Sequence, residues 1–255
     1  NITTNFGARD LLIFNNNIFL AQGQNDIVVY SDDGITWTDT NIAGGILESS
    51  LVFANGKWVA KERVTNLLLY STDGKTWTAT TTVTTANVLF YEAGRWTVAG
   101  NTGIQTSIDG VTWTQSSINT DITHLAYANG LYVGNGVNGT ITSTDGLTWQ
   151  SNDTLMDVVS LTFADNIWVV NGTLGIFFSS DGVTFTQSNI VEDAQLMSFA
   201  DNLWVTGIRG DAILYSTNVE RFESAGISGF LNSIYFFDSV WVCCTSSGVY
   251  WSTGL

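Results

Sequence analysis

The chain has 255 residues, with 8 Lys and Arg against 23 Asp and Glu for a net charge of −15. That balance argues against nucleic acid and anionic membrane surfaces as partners, because no basic stripe offsets it. No apolar run approaches the roughly 18 residues of a membrane span, and no basic leader followed by an apolar core opens the chain. The absent initiator Met points to a processed chain or an excised domain.

In chain order, residues 1–6 read as one short strand. From Leu11 onward the chain becomes a series of short strands with period-two alternation and no sustained helical period. Units start near residues 11, 50, 87, 123, 159, 195 and 232, and each holds four strands, A to D. The fifth unit sets the pattern. Strand A is Ser160 to Phe163, strand B is Ile167 to Val170, a Gly-rich loop follows to Gly175, and strand C runs from Ile176 to Ser179.

Between strands C and D a turn recurs: Ser31, Asp33, Gly34, Thr36, Trp37, and then Ser71, Asp73, Gly74, Thr76, Trp77. It returns with Ser107, Asp109, Gly110 and Trp113, with Ser143, Asp145, Gly146 and Trp149, and with Ser179, Asp181, Gly182 and Phe185. A degenerate copy spans Ser216, Asn218 and Phe222, and a seventh begins at Ser252. The serines step by 40, 36, 36, 36, 37 and 36 residues, about one propeller blade. Asp-Gly suits a tight turn, because Gly tolerates positive φ and Asp accepts nearby N–H bonds. Asp33, Asp73, Asp109, Asp145 and Asp181 are therefore expected to be structural turn clasps.

Aromatic residues confirm the register independently of the turn. Phe14, Phe53, Tyr91, Tyr127, Phe163, Phe199 and Phe236 each stand five residues before Phe19, Trp58, Trp96, Tyr132, Trp168, Trp204 and Trp241. These are strands A and B of seven blades. All ten tryptophans fall at repeat positions and are expected in the packing between blades. The seventh unit ends before its strand D. The expectation is that residues 1–6 supply it and close the ring, leaving only short outer edges. The predicted fold is thus all-β, a single seven-bladed propeller over 1–255.

The recurring turn resembles the Asp box of the sialidase-like propeller families, also called the bacterial neuraminidase repeat, Ser-x-Asp-x-Gly-x-Thr-Trp. Here the residue between Asp and Gly is missing, so the turn is one residue tighter. Such boxes also occur in sortilin-like receptors, photosystem assembly factors and phage tail proteins, so the resemblance implies fold more than activity. Sialidases grip a carboxylate with three arginines and use a Tyr–Glu pair. This chain has five arginines: Arg9, Arg63, Arg95, Arg209 and Arg221. The resemblance puts Arg95 and Arg221 on the wrong face, so the triad is not expected.

Ligands of propellers usually meet the face formed by the B–C and D–A loops. Blade two has the most irregular loops there, with two extra residues before strand A and the charged run Lys61, Glu62, Arg63. Asp121, Asp157 and Asp193 hold equivalent positions in three successive units. Three convergent carboxylates could hold Ca²⁺, receive an amine, or supply the carboxylate pair of a glycosidase; a D–A loop Asp also caps local N–H groups. His124, the sole histidine, is expected to be structural or channel-lining. Cys243 and Cys244 are adjacent, so they cannot staple one blade to another; a vicinal disulfide and two free thiols both remain open.

The expected ligand-binding residues on the loop face are Asp121, Asp157, Asp193, Lys61, Arg63, Arg209, Asp211 and Phe230, with Met156 as a further apolar contact. The leading expectation is a non-enzymatic surface or virion-associated adhesin, extracellular or on a virion, that recognises glycan or protein. A loop-face glycoside hydrolase or lyase and a scaffold without ligand are the alternatives.

Overall fold

The computed structural model describes residues 8–23, 26–83, 86–136, 139–152, 158–209 and 212–252. The described residues form seven antiparallel sheets and no α-helix. Six sheets have four strands in the order A-B-C-D, and the seventh has three. The chain divides into two compact units, residues 1–123 with 146–148, and residues 124–145 with 149–255.

In the first unit, the first sheet comprises Ala8–Asn15, Ile18–Gly23, Val28–Ser31 and Thr38–Asp39. The second comprises Ile46–Ala54, Lys57–Glu62, Leu67–Ser71 and Thr78–Val83. The third comprises Ala86–Glu92, Arg95–Gly100, Gly103–Ser107 and Thr114–Gln115. Ile18, Leu20, Val28, Trp58, Ala60, Leu69 and Trp77 are buried together between the first two sheets. Val59, Leu68, Leu89, Trp96 and Val98 do the same between the second and third.

The second unit carries the other four sheets, of which the fourth is Leu125–Ala128, Leu131–Gly136, Gly139–Ser143 and Gln150–Asn152. The fifth is Val158–Ala164, Ile167–Gly172, Gly175–Ser179 and Thr186–Gln187. The sixth is Ala194–Ala200, Leu203–Ile208, Ala212–Ser216 and Glu223–Ser228. The seventh is Leu231–Phe237, Val240–Thr245 and Gly248–Ser252. Its expected fourth strand, residues 1–6, lies outside the described residues.

Every strand A turns into strand B through a two-residue hairpin in which both residues have positive φ. The pairs are Asn16-Asn17, Asn55-Gly56, Ala93-Gly94, Asn129-Gly130, Asp165-Asn166, Asp201-Asn202 and Asp238-Ser239. Paired positive φ defines the hairpin turn whose twist matches the flanking strands, which is why Asn, Asp and Gly dominate these positions. The aromatic pairs across the hairpins are in register as the spacing predicts. Their ring centroids lie between 4.3 Å for Phe14–Phe19 and 5.0 Å for Phe236–Trp241.

The Asp turns work as clasps. In the first, the Ser31 hydroxyl donates to Asp33 Oδ1 at 3.0 Å and accepts from the Gly34 N–H at 2.8 Å. Asp33 Oδ1 accepts from the N–H groups of Ile35 at 2.8 Å and Thr36 at 2.7 Å. The pattern repeats at Asp73, Asp109 and Asp181, and at Asp145 the serine bonds recur. In the degenerate copy Asn218 Oδ1 accepts from Glu220 and Arg221, and Val219 takes the glycine place at φ 58°.

One tryptophan departs from the expectation of burial. Trp251 is 74% exposed, on the same face of the seventh sheet as Tyr235 and Val249. The other face carries Trp241 and Cys243, which pack on the sixth sheet with Val205 and Ile213. Among the described residues of its unit, the seventh sheet packs on a neighbouring sheet through the face of Trp241 and Cys243, and Trp251 stands on the opposite face.

Candidate functional site

The expected site residues fall in both units. Asp157, Asp211 and Met156 lie outside the described residues. Asp121, Lys61 and Arg63 belong to the first unit, whereas Asp193, Arg209 and Phe230 belong to the second. Those last three line a single cleft of about 550 Å³ in the second unit.

The cleft is built from the starts of strand A in the fifth, sixth and seventh sheets, together with two B–C loops. Each of these strands carries a β-bulge where it enters the sheet. In the fifth, Val158 pairs with Gly172 and Ser160 with Asn171, so Val159 is the extra residue. In the sixth, Gln195 and Leu196 fall between the pairs Ala194–Ile208 and Met197–Thr206. In the seventh, Asn232 falls between Leu231–Thr245 and Ser233–Cys244. All four bulge residues line the cleft. A bulge bends the strand and re-aims a side chain off the alternating pattern, and here it turns three strand starts towards one concavity.

The walls are mixed. Val159, Leu196 and Phe230 are 40%, 41% and 43% exposed, so an apolar surface faces solvent. Beside it the Arg209 guanidinium lies 3.5 Å from the Asp193 carboxylate, with side-chain exposures of 77% and 22%. The Arg209 N–H also donates to the Asp193 carbonyl at 2.7 Å, which fixes the two backbones. Behind the rim the Gln195 carbonyl accepts from Asn171 Nδ2 at 2.7 Å and from the Ser160 hydroxyl at 3.2 Å, while the buried Asn171 Oδ1 has no partner. The Leu196 carbonyl accepts from the Thr206 hydroxyl at 2.7 Å. The two bonds to the Gln195 carbonyl tie the fifth and sixth sheets together behind the concavity.

The charged run of the second sheet is organised differently from the expectation. Lys61 is not a loop residue. It lies within strand B, paired with Leu68, and is only 5% exposed. Burial pushes its amine below the ordinary lysine value. Lys61 occupies the strand-B position held by Gln22 and Asn171 in other sheets, which explains the burial: that position faces the interior of the sheet stack. Arg63 does stand in the loop, but its guanidinium is 3.1 Å from Asp26 in the first sheet's B–C loop. The two extra residues before the second strand A are not loop either. They widen the bulge between Ile46 and Leu51, where the Ser50 hydroxyl closes on the Leu47 carbonyl at 2.8 Å.

Among the described residues no group of three or more His, Cys, Asp or Glu side chains is placed to hold a metal ion. Asp121 is exposed in the first unit. His124 is half-buried, its backbone N–H donates to Asn135 Oδ1 at 2.7 Å, and burial pushes its imidazole below the ordinary value. Cys243 is buried and Cys244 half-buried, both as free thiols, and burial raises the Cys243 thiol.

Reading the sequence by repeat positions reached Asp193, Arg209 and Phe230 but missed the bulge residues. Their signal was present, since Leu196 and Met197 are adjacent apolar residues that break the alternation of a strand.

Solved structures of low sequence identity share this fold, and the chain is a seven-bladed β-propeller. YCF48 bound to D1 peptide matches with a TM-score of 0.57 at 16% identity, over 96% of this chain and 93% of that one. BamB from Moraxella catarrhalis matches with a TM-score of 0.63 at 9% identity, over 95% and 82%. Virginiamycin B lyase from Staphylococcus aureus matches with a TM-score of 0.59 at 10% identity, over 98% and 95%. No protein-family model and no curated protein sequence matches the chain.

Proposed function

We propose that the chain is a non-catalytic binding propeller of the Asp-box kind, whose second-unit cleft takes an exposed segment of a partner protein. A surface or virion-associated attachment role outside the cell is part of this reading. The observation that carries it is the convergence of three bulged strand starts on one cleft, where exposed Val159, Leu196 and Phe230 surround the Asp193–Arg209 pair. Apolar contacts flanked by a few oriented polar groups suit a protein segment, with affinity from burial and selectivity from the polar rim. One propeller of the same fold, YCF48, is seen with a peptide bound. The glycosidase reading needs two carboxylates at a set separation, and the one described carboxylate of this cleft already faces an arginine.

The test is to probe the full chain on an array of random nonapeptides and on an array of neutral glycans. Peptide binding is expected, and it should vanish in the double variant Leu196→Ser with Phe230→Ser at unchanged unfolding temperature. Glycan binding with blank peptides transfers the cleft to a lectin role. Turnover of a glycoside by the unmodified chain, abolished by Asp193→Asn, makes it an enzyme.

A further inference from the structure

Resting on that reading, we infer that the cleft selects a protein segment carrying a cation, a Lys or Arg side chain or an amino terminus, beside an apolar residue, and that the cation replaces Arg209 as the partner of Asp193. The two members of the ion pair are not equivalent. Arg209 is 77% exposed and approaches the carboxylate at 3.5 Å, so it reaches in from solvent, whereas Asp193 is 22% exposed in the cleft wall. An exposed ion pair of that length contributes little, because water and side-chain entropy offset the attraction. A ligand cation seated against Val159, Leu196 and Phe230 would meet the same carboxylate with water excluded, where a charge-assisted hydrogen bond is stronger.

The whole-molecule field points the same way. A net charge of −15 draws cationic segments towards the surface and repels acidic ones. Arg209 then acts as a stand-in that keeps Asp193 neutralised while the cleft is empty. It also sets a threshold that a neutral segment cannot pass, since a neutral residue offers Asp193 nothing in exchange. An acidic segment would pair with Arg209 instead, and the two choices make opposite predictions for the same variants.

The probes are two fluorescent nonapeptides that share one Leu-Leu pair and differ in a single flanking Lys or Glu, titrated with the full chain at low salt and at 0.5 M salt. The Lys peptide should bind more tightly, by about tenfold or more, the loss expected when a charge-assisted contact is missing. Asp193→Asn should remove that preference, while Asp39→Asn, which changes net charge equally at an exposed position on strand D of the first sheet, should keep it. Arg209→Ala should tighten the Lys peptide severalfold, because the competitor is gone and the backbone bond to Asp193 remains. Preference for the Glu peptide, or weakening of the Lys peptide by Arg209→Ala, overturns the inference and leaves the peptide reading standing. Equal loss in Asp193→Asn and Asp39→Asn reduces the effect to bulk charge and also overturns it. If neither peptide binds and the random array is blank as well, both the inference and the peptide reading fall.

Discussion

The side-chain amide of Asn41 closes two hydrogen bonds on the backbone of Trp77 in the next sheet. Its Oδ1 accepts from the Trp77 N–H at 2.8 Å, and its Nδ2 donates to the Trp77 carbonyl at 2.8 Å. Asn189 repeats the arrangement on Phe222, at 2.8 and 3.1 Å. Each amide thus substitutes for a neighbouring strand at the point where the Asp turn runs into strand D. The bonds join successive sheets through main chain, where the buried aromatics join them by packing.

Asn41→Ala should therefore lower stability by about 1–3 kcal/mol, because it leaves a part-buried N–H and carbonyl without partners. Asn41→Asp keeps the acceptor and loses the donor, and should fall between the two. Urea midpoints with unchanged slopes are the check. A midpoint for Asn41→Ala equal to that of the parent would show that water replaces the amide at no cost.

The Asp turns predict an acid sensitivity. The N–H groups of Thr36 and Ile35 and the Ser31 hydroxyl hold the Asp33 carboxyl down at about 2, and those of Thr112 and Val111 with Ser107 do the same for Asp109. Asp73 and Asp181 are lowered by the same contacts, led by Thr76 and Thr184. A carboxyl depressed in the folded state adds stability above its unfolded value, near 4, and that stability is lost as pH falls through the folded value. Stability should thus decline between about pH 4 and pH 2. Asn218 shows that an amide can accept the same two N–H bonds without titrating. Replacing Asp33, Asp73, Asp109 and Asp181 together by Asn should flatten the decline, as followed by thermal unfolding across that range.

Two backbone positions should respond in opposite directions. Gly175 has φ 113°, and a Cβ there would meet the Ile190 carbonyl oxygen and backbone. Gly175→Ala should destabilise by roughly 3 kcal/mol or more, in the range of strong core disruption. Ala93 holds φ 51° in a turn where Asn16, Asn55 and Asn129 stand in other sheets. Ala93→Asn should stabilise by roughly 0.5–1 kcal/mol, since Asn tolerates the left-handed region better than Ala. Melting temperatures of the two single variants test both signs.

Much of the fold was legible because the features that carry it are local. The Ser-Asp-Gly spacing, the paired turn residues and the aromatic residues five apart each act within one hairpin, and all seven hairpins have the expected register. What was hard to see depends on where a strand leaves its alternation. The bulges at Val159, Leu196 and Asn232 each shift the register by one residue, and so reassign which side chains meet the cleft. Lys61 was misplaced for the related reason that charge in a sequence marks a solvated loop on average. Its aliphatic stem lies in the strand interior instead. Asn41 and Asn189 carried no sequence signal, since the third sheet has Ser117 at the same step.

The buried Lys61 and the paired Arg63 make the final prediction, which separates frame from site in the second sheet. Lys61 is almost wholly enclosed and its amine is pushed down by burial, so the folded state disfavours its charge. A cation with a lowered folded value costs stability below that value, and the cost disappears as pH rises towards the unfolded one. Lys61→Met keeps the stem and removes the charge, and should raise stability at pH 7, with a smaller gain at pH 10. Arg63 stands in the loop that follows this strand, in a pair with Asp26 whose members are 38% and 34% exposed. An ion pair so solvated is worth under about 1 kcal/mol, so Arg63→Ala should shift the urea midpoint little. Neither change should alter peptide capture at the cleft of Asp193, Arg209 and Phe230. A loss of capture in Arg63→Ala with the unfolding midpoint unchanged would return the charged loop of the second sheet to the binding surface.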